Sequence, residues 1–216
     1  MDINKSLGYV FEDRDWLTKV LLGGIVCAIP VVNLAGAGYG VRLIRNVAAG
    51  EERPLPDWSS FGEYFVQGLL VFVAIAVYWL PLLMLNGATS LLNSFAGLDN
   101  VGYAIAGLIS GLSCIESLYG LLLALWLPAA IAHFSATGEL VAFFQFGRIW
   151  GLISRHSGDY VVAVIVAAVA STVAALVGVA LCFVGVIFTT FVAGLVLAHL
   201  LGQILRADAE LAPQAT

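Results

Sequence analysis

Four places in the chain carry polar side chains inside or beside long apolar stretches. Glu116, within SGLSCIESLYG, is the only acidic group well inside such a stretch. A charge near the bilayer centre costs about 3 kcal/mol on insertion scales. Glu116 is therefore expected either to carry a proton or cation, or to form an ordinary hydrogen bond between helices, with Ser113, Tyr119 and Gly120 one turn away. His199 and Gln203 lie four residues apart with Arg206 a turn further on. That face suits an anionic lipid or a partner subunit, and equally the polar end of a helix meeting the interface. Asn33, between Pro30 and the glycines 36, 38 and 40, marks a broken helix that either offers carbonyls to an ion or packs as a kink. Glu116, Asn33, His199 and Gln203 are the candidate intramembrane polar site, while His156 and Asp159 form a weaker pair in an expected turn.

No H-E-x-x-H, G-x-S-x-G, P-loop or paired-cysteine spacing accompanies them, and GAGYG lacks the spacing of a nucleotide-binding turn. No catalytic residue, cofactor or metal is expected. Cys27, Cys114 and Cys182 are far apart in apolar segments and read as small buried hydrophobes.

The elements that hold these residues follow from charge. The 216 residues are 61% hydrophobic and only 11% charged, with mean hydropathy +1.00, against about 25% charged in a soluble domain. No Asp, Glu, Lys or Arg occurs in residues 64–98, 117–138 or 160–205. Each run exceeds the roughly 20 residues of a spanning helix, and the last is long enough for two. The expectation is one integral membrane domain over residues 1–216. It is an all-α bundle of four full spans plus a broken or re-entrant first segment, which would be a fifth span if it crosses. The net charge of −5 and the scattered basic residues exclude a nucleic-acid surface. The mixed charges of residues 1–19 do not resemble a cleaved signal and read as a cytosolic or interfacial lead-in.

The first apolar segment, residues 17–48, is interrupted by Pro30, Asn33 and three glycines. Arg42 and Arg45 lie at its C-terminal end and Arg53 just after it, Arg148 and Arg155 lie between the third and fourth spans, and Arg206 follows the last. Positive-inside counting puts all three regions in the cytoplasm. A re-entrant hairpin puts Lys5, Arg14 and Lys19 there too, whereas a single crossing would not. GEERPLPDW, residues 50–58, then reads as a stiff cytoplasmic connector: Pro54 and Pro56 keep it extended, Trp58 anchors the interface, and Ser60 with Glu63 has capping-box spacing.

Spans are expected near residues 64–85, 101–133, 160–181 and 186–206. Between the third and fourth, residues 141–156 form an amphipathic interfacial helix with Arg148 and Arg155 reaching lipid headgroups. Small residues mark close helix packing at Gly107 and Gly111, and at Gly194, Ala198 and Gly202, facing Ala163, Ala167, Ser171 and Ala175.

FEDRDWLTKVLLGG, IPVVN, GYGVRLIRNVAAGEERPLPDW, FGRIWGLISRHSGDY and LAHLLGQ together resemble the bacterial and archaeal membrane proteins grouped as domain of unknown function 4013. The resemblance covers nearly the whole chain and is most specific over residues 11–58. It implies a compact helical membrane fold in a prokaryotic cytoplasmic membrane and carries no activity or substrate with it. The functional expectation is a non-catalytic scaffold or accessory subunit, in contact with membrane lipids and with a membrane-protein partner or a second copy. The alternative is a small transporter or channel built on Glu116.

Overall fold

A computed structural model describes residues 1–95, 102–181 and 184–211. These form α1 (Ile3–Glu12), α2 (Trp16–Ala28), α3 (Leu34–Ala48), α4 (Phe61–Phe95), α5 (Gly102–Thr137), α6 (Phe146–Arg155), α7 (Ser157–Ala180) and α8 (Val184–Leu211). Two 3₁₀ turns, Trp58–Ser60 and Leu140–Phe144, complete the regular structure, and the described residues contain no strand. Helix is what charge-free sequence must adopt where no water can satisfy the backbone. Four stretches are long and apolar enough to cross a membrane: Trp58–Phe95, Tyr103–Thr137, Ser157–Ala180 and Gly185–Leu211. The chain is an integral membrane protein with an all-α fold.

Two compact units divide it, residues 1–72 with 129–216, and residues 73–128. In the first, α8 is the central helix and touches α1, α2, α3 and α7. Its buried side includes Leu195, Val196, Ala198, His199, Leu200, Leu201 and Ile204. Gly202 sits against Val47 of α3. Antiparallel packing of α7 on α8 brings Gly178 against Val186 and lets the Thr189 hydroxyl donate to the Ala174 carbonyl at 2.7 Å.

The first apolar segment is a re-entrant helical hairpin. Its arms, α2 of 13 residues and α3 of 15, are only about 20 and 22 Å long, short of the roughly 30 Å hydrocarbon thickness. The break has a local cause: the residue before a proline is pushed toward extended backbone, and Ile29, before Pro30, ends α2 at φ −95°, ψ 119°. Val31 then takes a left-handed φ of 72° and reverses the chain. Both outer ends of the hairpin bind adjacent residues, since Lys19 donates to the Leu55 carbonyl and Asn46 to the Pro54 carbonyl. Entry and exit therefore share one side.

Where α3 meets the start of α4, the approach is backbone on backbone. A β-carbon on Gly38 would collide with the Tyr64 carbonyl, and one on Gly68 with the Leu34 carbonyl. Glycine is required at both positions.

The second unit contains the adjoining parts of α4 and α5. The Tyr119 hydroxyl donates to the Tyr78 carbonyl at 3.0 Å, and the Trp126 indole donates to the Tyr78 hydroxyl at 3.1 Å. Ala74, Tyr78, Thr89 and Leu123 are buried, while Leu83, Met84, Leu91, Leu118, Leu121 and Leu122 are exposed, as lipid-facing side chains are.

Candidate functional site

The most organised polar arrangement lies in the first unit, around the segment after α3. Pro54, Leu55 and Pro56 are buried in extended chain, and irregular backbone at such depth must have its carbonyls satisfied. Four consecutive carbonyls are each met by a different side chain. Asn46 of α3 donates to Pro54 at 2.9 Å, Lys19 of α2 to Leu55 at 2.9 Å, Tyr39 of α3 to Pro56 at 2.8 Å and Tyr64 of α4 to Asp57 at 2.7 Å. Residues 54–57 are thus a strap laced into the bundle.

Trp58 completes the strap and corrects the interfacial-anchor expectation. Its ring stacks on Tyr39 at 4.5 Å and leans on Phe191 of α8, and its indole donates to the Lys19 carbonyl at 3.0 Å. Nor does the expected Ser60–Glu63 capping box form, because the Glu63 carboxylate instead accepts from Gln67 at 2.9 Å and faces Arg42 at 3.8 Å.

Lys19 also bridges two carboxylates, Asp13 at 2.9 Å and Asp57 at 3.1 Å. Desolvation favours the neutral form of Lys19, but the two carboxylates outweigh it and hold its pKa above the usual value. Burial pushes Asp13 up, yet the Lys19 ammonium and the Asp15 amide outweigh that and hold it below the ordinary carboxylate range.

His199 and Gln203 of α8 face α1, not a lumen. Ser6 Oγ lies 2.8 Å from His199 Nδ1, and Gln203 Nε2 donates to Ser6 Oγ at 3.0 Å and to the Asp2 carbonyl at 3.1 Å. Tyr9 stacks on the imidazole at 4.2 Å and its hydroxyl donates to the Leu195 carbonyl at 3.0 Å. A serine hydroxyl beside an imidazole has the spacing of an activated nucleophile, but Ser6 is 0% exposed. The geometry fits a clamp that fastens α1 along α8.

Asn33 is exposed at the start of α3 and its side chain bonds to neither His199 nor Gln203. Glu116 belongs to the second unit, where its carboxylate accepts from the Thr89 hydroxyl at 3.4 Å, a long bond across the α4–α5 hairpin. Arg155 pairs with both oxygens of Asp208, at 2.8 and 3.1 Å, which raises its pKa, and His156 Nε2 lies 3.1 Å from the same carboxylate. His156 is therefore matched with Asp208 of α8 in place of the nearby Asp159. Arg148 is exposed and has no hydrogen-bond or ion-pair partner among the described residues.

Of the small residues, Ala198 and Gly202 are buried in helix contacts, whereas a β-carbon on Gly107, Gly111 or Gly194 would meet nothing within 4 Å among the described residues. Cys27 is half-buried and Cys114 exposed, against the expectation that all the cysteines are interior; Cys182 lies outside the described residues. The described residues hold no cluster of three or more His, Cys, Asp or Glu side chains suited to a metal. Ser6, Tyr9, Asp13, Tyr39 and Asn46 were not singled out from sequence, though the aromatic-acidic run before α2 and the Leu-Pro-x-Trp exit were the signals that pointed there.

A re-entrant hairpin and four candidate spanning helices define an α-helical polytopic membrane protein. The chain belongs to the family described as protein of unknown function (DUF4013), whose model matches residues 21–183. No curated protein and no solved structure matches it.

Proposed function

We propose that the protein is a non-catalytic accessory or scaffold subunit of a larger assembly in a prokaryotic cytoplasmic membrane. The observation that carries this reading is the bare glycine pair on α5. Gly107 and Gly111, one turn apart, lie on an exposed face where, among the described residues, nothing comes within 4 Å of a β-carbon added to either. In lipid, where apolar burial alone does not drive helices together, such small-residue faces allow a second helix to approach closely. The polar groups that a transporter would align are instead engaged in links between the chain's own helices: His199 and Gln203 with α1, and Glu116 with Thr89.

Purification of the native protein from its membrane in mild detergent, followed by mass measurement, tests the proposal. The expected result is a particle heavier than one chain, lost when Gly107 and Gly111 are both replaced by Leu while the monomer keeps its thermal stability. A particle of monomer mass under every mild condition would overturn it.

A further inference from the structure

One end of the first unit carries a cleft of about 630 Å³ that neither the strap nor the α1–α8 clamp uses. Its charged lining comes from three elements distant in sequence: Arg45 on α3, Arg148 and Arg155 on α6, and Asp208 on α8. His133 also lines it, held by Gln145 at 2.9 Å. Asp208 is already occupied by Arg155 and His156. That pairing cancels one positive charge and leaves the guanidinium groups of Arg45 and Arg148. Arg45 is oriented by its Nε, which donates to the Ser135 carbonyl at 2.6 Å, so its terminal nitrogens remain the donors available to a ligand. Arg148 has no partner of its own among the described residues.

Two guanidinium groups that keep terminal N–H donors for a ligand at one cleft constitute an anion site, and their planar forks match phosphate oxygens. The setting favours a phosphate on an amphipathic molecule. On the same short helix as Arg148 and Arg155, Ile149 and Leu152 are buried while Phe146 and Trp150 are 55% and 64% exposed. A surface helix of that pattern lies at headgroup level, with its aromatic rings among acyl chains.

We infer that this cleft binds a phosphate-bearing anion between Arg45 and Arg148, the phosphodiester of an anionic lipid headgroup being the source the surroundings favour. The site stands whether or not the protein is an accessory subunit.

The test uses the full chain in neutral detergent, with two probes read by native mass spectrometry and calorimetry: short-chain phosphatidylglycerol and inorganic phosphate. Saturable binding of the lipid is expected, weakened about fivefold or more by Arg148→Gln and by Arg45→Gln. Arg42→Gln, at a residue outside the cleft, should leave it unchanged. Phosphate that binds with the same arginine dependence while the lipid does not would support the anion site and assign it to a soluble ligand. If neither probe binds, or if the lipid binds equally to wild type and Arg148→Gln, the inference is overturned. Arg148 is exposed and unpaired, so its replacement tests the site even if Arg45→Gln, which loses the Ser135 bond, fails to fold.

Discussion

Single residues divide into those whose polar atoms hold the fold and those whose atoms remain unspent. Asn46 and Tyr39 are of the first kind, each ending on one strap carbonyl. Removing either donor leaves a buried acceptor unmatched, which costs about 1–3 kcal/mol. Tyr39→Phe and Asn46→Ala should each lower stability in detergent by that order, measured by thermal unfolding. Glu51→Gln with Glu52→Gln, at exposed positions of the same loop, should change it by less than about 0.5 kcal/mol. Glu116 is tested by Glu116→Gln: if its bond to Thr89 is structural, the amide retains both fold and assembly. Loss of a pH-dependent flux in proteoliposomes with the fold intact would instead favour the transporter reading. The strap's partners were hard to see in sequence because each is one donor on a different helix, with no spacing rule linking it to the carbonyl it serves. Glu116 and His199 were conspicuous because a polar atom in an apolar run is visible without knowing its neighbour.

The elements were legible in proportion to how strongly solvent dictated them. Charge-free runs longer than a bilayer located α4, α5, α7 and α8, although α4 and α5 extend beyond the expected segments, to Phe95 and Thr137. By contrast α1 reads as a lead-in, because its 10 residues are too few for a span and the face it buries includes polar Ser6 beside Tyr9 and Val10. For the hairpin the sequence fits both a kink and re-entry, and the Lys19 and Asn46 bonds place its ends together. Where α3 crosses α4, Gly68→Ala should be severely destabilising, by about 1–3 kcal/mol or more, since the obstacle is the Leu34 backbone and not a movable side chain. Gly107→Ala, in open space, should leave the monomer's stability within about 0.5 kcal/mol, and the two variants can be compared in one thermal assay. The Asp13–Lys19 pair gives α2 a pH dependence. Asp13, with its pKa lowered in the fold, contributes stability above the ordinary carboxylate range and loses it as pH falls through the lowered value. Lys19, with its pKa raised, contributes fully below the ordinary ammonium range and loses that contribution as pH rises through the raised value. Thermal midpoints should form a plateau between these limits, and Asp13→Asn should shrink the acid-side fall.

At the scale of the whole molecule, the arginines predict the topology. Arg45, Arg148 and Arg155 line one cleft, and Arg206 lies beside Gly50, so the three basic regions occupy the same end of their unit. The excess of arginine predicts that this end faces the cytoplasm. Single cysteines introduced at Arg53 and Arg206 in intact cells should react with a permeant reagent and resist an impermeant one. Labelling from opposite faces would refute this arrangement.

The contacts of the re-entrant hairpin also impose an order of events during synthesis. Gly23 and Gly24 of α2 close against Phe191 and Phe188, and Val47 of α3 against Gly202; all three partners belong to α8, which leaves the ribosome long after α2 and α3. Until then the first helices made have no permanent neighbour on that side, and two arms too short to cross must wait in a half-inserted state. Termination of translation before α8 should leave Lys19 and the strap open to protease from the cytoplasmic side, whereas a chain that includes α8 should protect both. Helix α8 would then act as the latch that converts a provisional insertion into a committed one.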